Sequence, residues 1–107
     1  MTDAEINLAI AKIEYPNNEL YPCEEHVDIR LGGGDYITVD YCNNWEDIGP
    51  IIERESINLF HDENWEDIGP NEWSASGIRE NGKDTGAEAE TPMKAAALCY
   101  LKMRGVE

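Results

Sequence analysis

Four of the five cysteine and histidine side chains in this sequence could be read together as metal ligands: Cys23 and His26, which form a Cys-x-x-His pair, and the more distant Cys42 and His61. Together they offer the sulfur and nitrogen donors that tetrahedral zinc takes. The spacing argues against such a centre, because the one close pair is not joined by a second. The expectation is no metal: reduced, partly buried thiols and a surface histidine. A calcium loop fails as well. Asp62-x-Asn64-x-Glu66 alternates oxygen donors, but Asp67 stands where the sharp turn needs glycine, and Trp73 occupies the closing glutamate position. With only two histidines and no local nucleophile signature, no catalytic residue is expected. Gly32-Gly33-Gly34 lacks the lysine and serine of a phosphate loop and precedes a strand pattern, so it reads as a turn. No cofactor is expected either.

Charge is the more informative feature. The 107 residues carry 23 acidic and 8 basic side chains, a formal net of −15. Between Leu31 and Ile78 a single base, Arg54, stands against eleven acids. A field of this sign repels phosphate backbones, so direct nucleic-acid binding is not expected, and it steers association with basic protein surfaces. Within this stretch Asn44-Trp-Glu-Asp-Ile-Gly-Pro50 recurs unchanged as Asn64-Trp-Glu-Asp-Ile-Gly-Pro70. Two copies do not make a solenoid. They read as a local duplication, the first opening a helix and the second connecting two strands. The alternative is a pair of equivalent acidic, aromatic docking elements. The candidate partner-binding residues are Trp45, Glu46, Asp47, Asp62, Glu63, Trp65, Glu66 and Asp67, with the tryptophans as anchors.

The elements that would position these residues are marked by caps and periodicity. Thr2 and Glu5 form a capping box ahead of an Ile6, Ala9, Ile10, Ile13 stripe, which predicts a helix over 3–14. Residues 15–25, with Pro16 and Pro22, read as a loop. Val27, Ile29 and Leu31, then Ile37, Val39 and Tyr41, alternate on either side of the glycine turn as a hairpin. Asn43-Asn44 caps a second helix containing Ile48, Ile51 and Ile52, with Pro50 at its first position or kinking it. Strands follow at 57–61 and 72–78, with Trp73 and Ala75 facing the core. Residues 79–90, with two glycines, read as a mobile surface loop. Thr91-Pro92 then opens a last helix, whose three consecutive alanines allow close packing on a sheet. The order α-β-β-α-β-β-α predicts an α+β fold with one antiparallel sheet of about four strands, forming a single domain over 1–107. Ile10, Val39 and Ile52 are its expected core contributors.

Three segments then carry a resemblance: Asp40-Tyr41-Cys42-Asn43-Asn44-Trp45, Gly49-Pro50-Ile51-Ile52-Glu53, and Thr91-Pro92-Met93-Lys94-Ala95-Ala96 with Tyr100-Leu101-Lys102. In these the chain resembles the small NinX-like phage and prophage proteins, and is similar to the related phage ABA-sandwich proteins. The resemblance implies helices flanking an antiparallel sheet and a phage-type accessory gene, with no catalytic residues to carry over. The second heptapeptide copy and the acidic 79–90 segment depart from the family pattern. Absence of a basic N-terminal region and of a long apolar run predicts a cytoplasmic protein of the host cell, without a membrane span. The expected function is non-enzymatic binding of a host protein through the acidic face, with nucleic-acid mimicry or inhibition of a host defence component as its mode. The alternative is a structural or assembly accessory of phage development whose acidity serves only solubility.

Overall fold

A computed structural model describes residues 1–61, 73–79 and 81–106. The first helix, α1 (Asp3–Glu14), starts where the sequence places it. The Thr2 amide donates to the Glu5 carboxylate at 3.0 Å and the Glu5 amide to the Thr2 hydroxyl at 3.2 Å, so the capping box is complete. Three short strands follow: β1 (Leu20–Pro22), β2 (Val27–Arg30) and β3 (Tyr36–Val39). They pair antiparallel in the order β1-β2-β3. The glycine turn between β2 and β3 is a 3-10 turn at Gly32–Gly34, with φ of 79° at Gly33 and 83° at Gly34, values a side chain would oppose.

Helix α2 (Trp45–Arg54) is capped by Asn44, whose side chain accepts from the Glu46 amide at 3.0 Å. Pro50 lies inside it, past the first turn. A second antiparallel sheet, in the order β4-β5-β6, comprises β4 (Asn58–His61), β5 (Trp73–Ile78) and β6 (Asp84–Ala89). The last helix, α3 (Pro92–Met103), is capped by the Thr91 hydroxyl, with Pro92 at its start.

Residues 20–22 and 84–89, read from sequence as loop, are strands, and the order is α-β-β-β-α-β-β-β-α among the described residues. Among the described residues there are accordingly two three-stranded sheets in place of one sheet of about four strands. The helices also do not simply flank a sheet. α1 lies on β1 and β2 and meets α3, while α3 lies on β4, β5 and β6, so helices connect the two sheets.

Packing explains α3. Ala95, Ala96, Ala97, Cys99, Tyr100 and Leu101 are all fully buried. The facing strands answer with Ala75, Gly77, Ala87 and Ala89, equally small and buried. Small residues on both surfaces let helix and sheet approach closely, as the alanine run predicts. Of the expected core contributors, Ile10 and Val39 are buried, but Ile52 is only partly so, because α2 turns Ile48 and Ile51 inward.

Candidate functional site

Asn7 organises the region around α2, and the sequence reading did not single it out. It is a polar side chain with no exposure, on the apolar stripe of α1. Its amide nitrogen donates to the Glu25 carbonyl at 3.1 Å and to the Asp40 carboxylate at 3.0 Å. Its oxygen accepts from the amides of Tyr41 at 2.8 Å and Cys42 at 3.2 Å. A buried amide must meet its hydrogen-bonding capacity, and these four contacts do so. They tie α1 to the end of β3 and to the β1–β2 turn. A second tie runs from the Asp40 amide to the Asp47 carboxylate at 2.9 Å, fixing the first turn of α2. The one sequence hint was a polar residue beside Ile6 in an otherwise apolar stripe.

Trp45 is the first residue of α2 and half of it is exposed. Glu46 beside it is exposed, whereas Asp47 is half-buried and engaged by the Asp40 amide. Both carboxylates lie in the first turn, where the positive end of the helix dipole favours them. The other expected partner-binding residues, Asp62, Glu63, Trp65, Glu66 and Asp67, and the second heptapeptide copy lie outside the described residues. A shallow groove of about 170 Å³ runs beside α2, its lining including Tyr15, Tyr41, Glu46 and Asp47. It has room for a side chain; pockets for drug-sized ligands start at about 300 Å³.

Arg54, the single base of the acidic stretch, stands at the other end of α2 and lines the same groove. Its guanidinium donates to both Glu14 oxygens at 2.8 and 3.1 Å, to Glu55 at 3.3 Å and to the Tyr100 hydroxyl at 3.2 Å. Tyr100 in turn donates to Glu14 at 2.7 Å, and Arg104 donates to Glu55 at 2.8 Å. Burial alone would push the Glu14 carboxyl up, but hydrogen bonds from Arg54 and Tyr100 outweigh it and hold the group below the usual range. This clasp joins the C-terminal ends of α1, α2 and α3. Because it occupies Arg54, the exposed Glu46 and Glu53 keep an uncompensated charge: among the described residues neither forms an ion pair.

The four side chains with metal-ligand chemistry are dispersed. Cys42 is fully buried, and burial pushes its thiol up to about 12. His61, at the end of β4, meets Trp73 in a tilted ring contact with centroids 4.8 Å apart and planes at 59°. Only Cys23 and His26 stay together, and Asp28 joins them.

The family model described as bacteriophage P22 NinX matches residues 1–104, and the chain belongs to that family. Among solved structures, a phage protein from Bacillus cereus ATCC 14579 is similar, with a TM-score of 0.69 at 18% identity, covering 100% of this chain and 91% of that one. At that identity the likeness establishes the fold. No curated protein matched the chain. No helix among the described residues is long and apolar enough to cross a membrane.

Proposed function

We propose that this chain is a non-enzymatic phage accessory protein that binds a basic surface of a host protein through the acidic, tryptophan-bearing end of α2, in the manner of a nucleic-acid mimic. The observation that carries the reading is the polarity of α2. Trp45 and Glu46 are presented to solvent at one end, while the only base of the stretch is held by Glu14, Glu55 and Tyr100 at the other. Membership of a phage family supports the accessory role. Exposed aromatic anchors ringed by charge are favoured at binding hot spots. The site of action under this reading is the cytoplasm of the infected or lysogenic host.

The test is capture from host lysate by the tagged chain across a salt series, compared with a Trp45→Ala, Glu46→Lys variant, both positions being exposed at the start of α2. A basic host protein captured at low salt and released at high salt, and not captured by the variant, is the expected result. Recovery of phage proteins alone would support an assembly role instead. Undiminished capture by the correctly folded variant would reduce the acidity to a solubility device.

A further inference from the structure

We propose that the outward face of the first sheet carries a zinc site formed by Cys23, His26 and Asp28, with a fourth coordination position open to water or an incoming ligand. Spacing in the sequence offered Cys42 and His61 as the further ligands; the hairpin supplies Asp28 in place of both. β1 and β2 pair Pro22 with Val27 and Tyr21 with Asp28, which sets Cys23 opposite His26. The Cys23 amide donates to the His26 carbonyl at 2.8 Å, closing the reversal over Glu24 and Glu25. Side chains alternate between the faces of a strand, so His26 and Asp28 share one face, opposite the buried Val27 and Ile29.

The donor atoms are already gathered. One atom from each residue, a sulfur, an imidazole nitrogen and a carboxylate oxygen, lies within 4.8 Å of the other two. His26 Nε2 is 3.5 Å from Asp28 Oδ1, and Cys23 Sγ is 4.0 Å from Asp28 Oδ2. Zinc bonds of about 2.0–2.3 Å in tetrahedral geometry place ligand atoms roughly 3.4–3.7 Å apart. The His26–Asp28 separation stands at that spacing, and Cys23, which is measured to the other carboxylate oxygen, would close by a few tenths of an ångström. From β3, the Thr38 hydroxyl donates to Asp28 Oδ1 at 2.7 Å and orients the carboxylate, the support that ligating carboxylates commonly receive.

Donor chemistry selects the metal. Thiolate and imidazole suit zinc, whereas magnesium and calcium take oxygen ligands. A thiolate and a carboxylate would neutralise a divalent ion, and binding would displace the thiol proton to solvent. Three protein ligands with one vacant position is the arrangement of zinc sites that keep a water or accept a ligand. All three residues are half-buried, so the ion has a path in. All three residues belong to the β1–β2 hairpin, and the proposal does not depend on the role of α2.

The experiment loads the reduced, metal-stripped full chain with cobalt as an optical probe, then competes with zinc. The expected result is one cobalt per chain, with a thiolate-to-cobalt charge-transfer band that zinc removes. Cys23→Ser should abolish the band, and His26→Gln and Asp28→Asn should each weaken zinc binding by at least about tenfold. Circular dichroism on each variant separates loss of a ligand from loss of fold. A wild-type chain without the band at saturating cobalt overturns the site. So does a band that survives Cys23→Ser, or unchanged zinc affinity in both of the other variants.

Discussion

The two sheets are built alike and packed differently. Each has three antiparallel strands and a helix across it. The first is held by branched side chains, Val27, Ile29 and Val39, against Ile6 and Ile10 of α1. The second is held by alanine and glycine against the alanine face of α3. One surface interlocks large groups, and the other gains its contacts by close approach. The first half should therefore be sensitive to truncation, and the second to enlargement.

The largest effect is expected in the first half. Asn7→Ala would leave the buried amides of Tyr41 and Cys42 without their acceptor, at a cost of about 2–5 kcal/mol by denaturant unfolding. Ile10→Ala belongs to the same class, at about 2–5 kcal/mol, because the cavity cannot fully collapse. An unmoved midpoint for Ile10→Ala would show that α1 does not anchor the first sheet. In the second half, Ala96→Leu should cost about 1–3 kcal/mol by overpacking, although it adds apolar surface. A stabilised Ala96→Leu variant would erase the contrast between the halves. Gly86 sharpens it, since a Cβ there would stand 2.9 Å from the Ala75 carbonyl oxygen, so Gly86→Ala should also destabilise.

Smaller effects are expected from the clasp that joins the helix ends. The Glu14 carboxyl is depressed in the folded state, so it contributes stability above its unfolded pKa, and that contribution is lost as pH falls through the folded value. Arg54→Met should flatten the pH dependence of stability below about pH 4.5, the unfolded glutamate range. Equal acid sensitivity of the two proteins would remove the clasp from the account. The smallest perturbation is chemical labelling. Cys42 and Cys99 are fully buried with thiols pushed up by that burial, whereas Cys23 is half-exposed. A thiol reagent should modify Cys23 in the native chain and the other two only on unfolding, as read by peptide mass. Native labelling of Cys99 would indicate that α3 is packed less closely than described.

Legibility in the sequence follows the same division. Helices α1 and α3 and the β2–β3 hairpin carry strong local signals: a capping box, a Thr-Pro start, and branched alternation around glycines. β6 was read as loop because its inward residues, Ala87 and Ala89, are small and carry almost no hydrophobic signal. Their size is set by α3, a partner that follows them in the chain. β1 is three residues that end on Pro22 among turn formers, recognisable only by its pairing with β2. Trp45 was legible as the start of a capped helix. Asp28 was not legible as a companion of Cys23 and His26, because only the hairpin register brings it there. The buried role of Asn7 required contacts from three separate segments.

The central claim is that the exposed end of α2 is a binding surface and not part of the fold. Trp45→Ala, measured in parallel for thermal midpoint and for partner capture, tests it most directly. Trp45 is 50% exposed, so the midpoint should hold, while loss of an anchor should cost about 2 kcal/mol of binding or more. A lowered midpoint with capture retained by the folded fraction would contradict the claim and make Trp45 a structural residue.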